Sequence, residues 1–165
     1  MNFLIAYAGK SGCTAEMAAL LARELSNHSV TLADLCHDQP DPAAFDYVVL
    51  ATSIRMNRPH KAIRQYIKAH AATIAQLPHA LCLCCAFADQ FEHYIGAAYP
   101  AALVDTADEL CYLGGDLSPA RQKGIDKLLC KMLRNGILES EEDDAALPCL
   151  LPEHVRLLAD KLRKK

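Results

Sequence analysis

The chain has no tryptophan, and phenylalanine and tyrosine together make up only 6% of its 165 residues. A flat ligand must therefore stack on something other than an indole, with Phe87, Phe91 and Tyr94 as the aromatic candidates and Met56 as a soft apolar partner. Long apolar runs are missing too. The longest, residues 80–88, has nine residues, whereas a membrane-spanning helix needs about 20. No cationic stretch at the N-terminus leads into an apolar segment, so an export signal is not expected and the protein is expected to be cytoplasmic. Basic residues are not in excess: 17 Lys and Arg stand against 20 Asp and Glu, a net charge of −3. The balance argues against a globally basic nucleic-acid binder while leaving local basic faces open, and no nucleic-acid partner is expected.

Cysteine, by contrast, is plentiful, with eight residues at 13, 36, 82, 84, 85, 111, 130 and 149. The spacing is read as lacking both a redox dithiol and the paired knuckles of a zinc site, so no metal is expected. Cys82, Cys84 and Cys85 lie inside the longest apolar run, where thiols behave as small hydrophobes. Without an export signal most of the thiols are expected to stay reduced. The remaining composition, 52% hydrophobic and 22% charged, is that of a globular chain long enough for a single core.

Short apolar segments alternate with helical patterns. Residues 2–7 (NFLIAY), 29–33, 46–52 (DYVVLAT), 79–87 and 109–114 read as five strands. Between them, residues 14–26 place Met17, Leu20, Leu21 and Leu25 on one face. A helix opening at Pro59 does the same with Ala62, Ile63, Tyr66 and Ile67, and a weaker helical stretch covers 94–106. Residues 152–162 close the chain with Val155, Leu158, Ala159 and Leu162 on one stripe. Strands apolar on both faces, joined by helices, predict an α/β three-layer sandwich with a five-stranded parallel sheet of order 2-1-3-4-5. No linker or repeat divides residues 1–165, which are expected to form one domain with an insertion at 116–149 after the fifth strand.

The insertion opens with a helix expected from Ser118-Pro119 onward, carrying Ile125, Leu128, Leu129, Met132 and Leu133 on one face. Five basic and two acidic residues between 116 and 136 give it a local charge of +3. The acidic stretch Glu139, Glu141, Glu142, Asp143 and Asp144 follows. Three readings stand for this helix: packing on the domain or on a second copy as a homodimer, peripheral membrane contact through 119–134, or a lid over a substrate.

The loop Gly9-Lys10-Ser11-Gly12-Cys13-Thr14 joins the first strand to the first helix. Such a turn offers unpaired backbone N–H groups, the positive end of a helix dipole and two hydroxyls, which suit a phosphate. The dinucleotide pattern GxGxxG is not met. The Walker A pattern fails because position 4 is Leu rather than Gly. A Cys-x5-Arg phosphatase loop fails as well, since positions 19, 90 and 91 are Ala, Gln and Phe. A flavin mononucleotide phosphate, which needs only donors curled around it, is consistent with the loop.

At these residues the chain resembles the flavodoxin-domain proteins. Tyr7-Ala8-Gly9-Lys10-Ser11-Gly12-Cys13-Thr14 is similar to their phosphate loop. Ala51-Thr52-Ser53-Ile54-Arg55 with Pro59-His60-Lys61-Ala62 resembles the flavin-edge loop of one branch, the quinone-dependent protoporphyrinogen dehydrogenases and their relatives. The insertion, with Gly114-Gly115 before it and Lys127 to Leu133 on its helix, is similar too. The family more often has a hydroxyl residue where Ala8 stands. The resemblance implies a flavodoxin-like fold and FMN as cofactor, held by Gly9, Lys10, Ser11, Gly12, Cys13, Thr14, Thr52, Ser53, Ile54, Arg55, Met56, Asn57, Phe87 and Phe91. It implies electron transfer with a redox partner protein or a quinone. The alternatives are a quinone-dependent protoporphyrinogen IX dehydrogenase activity and a flavin-free interaction module. No residue is singled out as catalytic, although His60 and His93 are the candidates for moving protons.

Overall fold

The computed structural model describes residues 1–139 and 147–165. Five parallel strands form the sheet: β1 (Asn2–Ala8), β2 (Ser29–Asp34), β3 (Tyr47–Arg55), β5 (His79–Cys84) and β6 (Glu109–Tyr112), in the order β2-β1-β3-β5-β6. A two-residue strand, β4 (Arg58–Pro59), folds back antiparallel onto the end of β3. The α-helices of the described residues are α1 (Cys13–Glu24), α2 (Lys61–Ile74), α3 (Phe91–Ala98), α4 (Ala101–Val104), α5 (Ile125–Leu138) and α6 (Pro152–Leu162). Counting only the parallel strands, this is the expected 2-1-3-4-5 order.

The period-two alternation of each central strand divides the interior into two cores. Leu4, Ala6 and Ala8 of β1, Val48 and Leu50 of β3, and Leu81 and Leu83 of β5 face α2 and α3. Their neighbours Phe3, Ile5, Tyr47, Val49, Ala51, Ala80, Cys82 and Cys84 face α1 and α6. Every residue of β5 is buried, as a central strand covered on both faces requires. The Tyr99 hydroxyl spans the seam between β3 and β5, donating toward the Leu50 carbonyl at 3.1 Å and the Cys82 carbonyl at 2.9 Å.

Four expectations need correction. The helical stretch 94–106 is two helices, because Pro100 cannot continue the first and instead opens α4. The helix expected at Pro59 begins at Lys61, with Pro59 paired in β4 and His60 as N-cap. The insertion helix does not start at Ser118-Pro119: a 3-10 turn (Pro119–Arg121) comes first, and α5 starts after Gly124, whose φ is +58°. Finally, Cys82 and Cys85 do stand at the C-x-x-C interval, but on a strand that spacing turns them to opposite cores, and all eight thiols are free. Of the acidic stretch after α5, Glu141, Glu142, Asp143 and Asp144 lie outside the described residues.

Candidate functional site at the carboxyl ends of the strands

Chain order reverses between β1 and β3, and ligands in open α/β sheets bind outside the carboxyl ends of the strands at such a point. A cleft of about 400 Å³ lies there. Lys10, Ser11 and Cys13 line it from the first loop, and Ser53, Ile54, Arg55, Met56 and Asn57 from the β3 tip. Cys84, Cys85, Ala86 and Phe87 follow β5, and Tyr94 reaches in from α3. The far wall comes from the insertion: Gly115, Asp116, Leu117, Gln122, Asp126, Leu129, Cys130 and Leu133.

Local sequence explains each wall. Gly12 caps α1 with φ +84°, a left-handed position that glycine enters without a Cβ penalty, and no side chain caps the helix. The first N–H groups of α1 therefore have no intrahelical acceptor and no capping oxygen. Beneath Gly9 the Thr14 hydroxyl is buried without a hydrogen-bond partner of ordinary geometry. At the β3 tip, Met56 and Asn57 both hold positive φ, the sign pattern a tight two-residue hairpin needs. For Met56 that conformation costs about 1–2 kcal/mol. The Tyr94 hydroxyl donates to Asn57 Oδ1 at 3.1 Å and holds the turn in place.

The sequence candidates divide. Lys10, Ser11, Cys13, Ser53, Ile54, Arg55, Met56, Asn57 and Phe87 share the cleft, whereas Gly9, Gly12, Thr14, Thr52 and Phe91 are outside its lining. Thr52 is fully buried: its hydroxyl donates to the Ala8 carbonyl at 3.2 Å and accepts from the His60 N–H at 3.4 Å, so it ties β3 to β1 and to α2. Phe91 packs on the core with its ring 5.7 Å from that of Tyr112. Arg55 is not a free cation, for its guanidinium donates to Gln122 Oε1 at 3.1 Å and pairs with Asp126 at 2.7 Å. The residues that sequence reasoning missed, Leu117, Gln122, Asp126, Leu129, Cys130 and Leu133 among them, come from the insertion. Its amphipathic pattern marked a helix but not where that helix would lie.

Three cleft thiols are held protonated. Burial pushes Cys84 up to about 12 and Cys85 up to about 11, and raises Cys130 as well. They act as neutral, polarizable wall rather than as nucleophiles near neutral pH.

His60 has a structural task. Its Nδ1 accepts the Ala62 N–H at 3.3 Å, which requires the ring to be unprotonated at that nitrogen. Burial, then the nearby Lys10 ammonium, lower its pKa below the ordinary 6.5, opposed by Asp34. A depressed folded pKa stabilises the protein above the unfolded value and loses that contribution as the pH falls through the folded one. The melting temperature is therefore expected to drop between about pH 7 and pH 5 more steeply in the parent than in His60→Asn, whose amide oxygen caps without titrating. Parallel slopes in the two proteins would show that the cap contributes nothing to the acid response.

This architecture defines a doubly wound α/β protein with an anion-receptive loop and a cleft at its topological switch point. The family model for the flavodoxin domain matches residues 4–144, and the chain belongs to that family. The protoporphyrinogen IX dehydrogenase [quinone] of Escherichia coli strain K12 is 32% identical over 84 residues, which are 48% of this chain and 46% of that protein. The chain thus spans about half the length of the curated relatives it matches. Among solved structures, the Fusobacterium nucleatum flavodoxin bound to flavin mononucleotide superposes with a TM-score of 0.57 at 11% identity, covering 99% of this chain and 98% of that one. A flavodoxin from the domain Archaea gives 0.57 at 11% identity over 99% of both chains. At these identities the likeness is one of fold.

Proposed function

We propose that the chain binds FMN in this cleft and transfers electrons between a partner and an acceptor. The observation that carries this reading is the convergence of the α1 N-terminus, the β3 tip and the loop after β5 on one cleft of about 400 Å³. Lys10, Ser11 and the N–H groups at the start of α1 would hold the phosphate. Ser53 and the backbone of residues 54–57 would meet the edge of the ring system, with Met56 and Phe87 as its apolar contacts. When bound, the cofactor supplies one- and two-electron redox chemistry. The chain's own residues exclude water, hold the thiols neutral and aim donors at the phosphate. Residues 1–165 are read as one functional unit, because the insertion supplies a wall of the same cleft.

A second reading, oxidation of a protoporphyrinogen-type substrate with a quinone as acceptor, is favoured by the match to the E. coli dehydrogenase and by the insertion at the cleft mouth. A membrane surface as the place where such an acceptor is met draws support from α5. Ile125, Leu128 and Met132 are 76%, 59% and 63% exposed, and Lys127 and Lys131 lie along the same helix. No described helix is long and apolar enough to cross a membrane, so the contact proposed is peripheral.

The test is uptake of the cofactor. The purified protein is expected to show absorbance near ~450 nm, or to gain it and quench FMN fluorescence at one equivalent when FMN is added. Turnover of protoporphyrinogen with a quinone by the loaded protein would select the dehydrogenase reading over simple electron transfer. A colourless protein that takes up no FMN would leave the flavin-free interaction module.

A further inference from the structure

The cleft reading leaves one contact unused: the pair between Arg55 at the β3 tip and Asp126 on α5. We propose that Asp126 stands in for a carboxylate of the reactant, so that Arg55 is a carboxylate-binding residue from which the reactant displaces α5. This inference rests on the cleft being the redox site described above, and it adds the chemical class of the second ligand: a largely apolar molecule bearing a carboxylate.

The geometry supports exchange. The Arg55 guanidinium meets two acceptors from the insertion, Asp126 Oδ1 at 2.7 Å and Gln122 Oε1 at 3.1 Å, and all three residues line the cleft. A guanidinium presents a planar fork that binds a carboxylate with directional, charge-assisted hydrogen bonds. Both partners of the ion pair are about a third exposed, 30% and 32%, and exposed pairs hold weakly. An incoming carboxylate therefore meets an accessible cation and a weakly held competitor. Beyond the pair, Leu117, Leu129 and Leu133 give the insertion wall an apolar stretch, beside Asp116, whose carboxylate is already paired with Arg121.

The insertion is also jointed where such a motion needs it. Arg121 anchors the 3-10 turn to the body, pairing with Glu16 at 2.9 Å and with Asp116 at 2.9 Å. After that anchor the chain is extended at Gln122, and Gly124 turns it at φ +58° and ψ −136° into α5. A Cβ at Gly124 would meet nothing within 4 Å, so the joint is open. Two arginines thus do different work: Arg121 fixes the turn, and Arg55 holds the helix beyond the joint.

Saturation binding of 1-pyrenecarboxylate and of the uncharged 1-pyrenemethanol, followed by pyrene fluorescence, tests the proposal on the full chain, with and without added FMN. The parent is expected to prefer the carboxylate. Asp126→Asn removes the internal competitor and is expected to tighten the carboxylate by about twofold to fivefold, leaving the alcohol unchanged. Arg55→Gln is expected to abolish the preference. Tryptic cleavage after Lys127 and Lys131 should accelerate as the carboxylate saturates the parent. Circular dichroism confirms that each variant is folded. Equal affinity for the two probes, no tightening in Asp126→Asn, a preference that survives Arg55→Gln, or no saturable binding of either probe would overturn the proposal. A protein that takes up FMN but shows no carboxylate preference fails this inference alone, whereas absence of FMN uptake fails the cofactor reading first.

Discussion

Gly114→Ala is expected to lower the melting temperature by about 10 °C, while Gly136→Ala leaves it unchanged or slightly raised. Gly114 follows β6 with φ +81°, where an L side chain costs about 1–2 kcal/mol. It also sits at a three-way crossing of backbone. Its carbonyl accepts the Cys85 N–H at 3.1 Å, and it bridges Leu150 on the segment returning from the insertion. A Cβ there would run into the Cys149 carbonyl oxygen and come within 2.8 Å of the Leu151 nitrogen. Because the obstacles are main chain, no side chain can swing aside, and overpacking adds about 1–3 kcal/mol. The sum, roughly 3 kcal/mol, sets the temperature shift for a chain of this size. Gly136 lies within α5 with nothing within 4 Å of its would-be Cβ, so there alanine brings only its better helix propensity. Thermal melts of the two variants beside the parent decide the matter, and equal midpoints for Gly114→Ala and the parent would mean that the crossing is not tight. The substitution should also disturb the cleft, since Gly115 and Cys85, next to the crossing, both line it.

The central strands β1, β3 and β5 were legible because each is short, apolar on both faces and followed by a break, as a parallel sheet demands, whereas β2 and β6 at the edges are only partly buried. Leu4 and Ile5 are adjacent in sequence and fall into different cores, as alternation on one strand requires. The first loop was legible for a similar local reason: glycine between a strand and a helix marks a turn, and Gly12 takes a left-handed φ of +84° there. What stayed hidden depends on distance in the chain. Thr52 and Ser53 are neighbours in one motif, yet Thr52 is consumed by bonds to Ala8 and His60 while Ser53 reaches the cleft. Which of two hydroxyls is spent is decided by elements 44 residues away in one direction and eight in the other. Arg55 met its partners 67 and 71 residues downstream, at Gln122 and Asp126, and no local signal predicts that pairing. The β4 hairpin was missed because Pro59 suits the first turn of a helix as well as an edge strand, and only pairing with Ile54 separates the two.

The exposed face of α5 carries the other large expected effect. The full chain is expected to sediment with phosphatidylserine-rich vesicles at low salt and to remain in solution with purely phosphatidylcholine vesicles. The expectation comes from a mismatch between pattern and packing. An amphipathic helix ordinarily spends its apolar arc on the body, but α5 buries Cys130 and leaves Ile125, Leu128, Met132 and Leu133 substantially exposed. Lys127, Lys131 and Arg134 cluster on another side of the same helix, and none of them is in an ion pair with a described residue. Each cation near an anionic surface contributes about 1 kcal/mol, so Lys127→Gln with Lys131→Gln should weaken vesicle binding by about 30-fold. Leu128→Asp with Met132→Asp should abolish it with little change in melting temperature, because both side chains are already mostly in water. The two pairs separate charge from insertion: the lysine variant should lose the salt dependence along with affinity, and the aspartate variant should fail at every salt concentration. If the parent ignores anionic vesicles but elutes from a sizing column as a dimer that Met132→Asp dissociates, the apolar arc meets a second copy of the chain, and the lipid assignment falls.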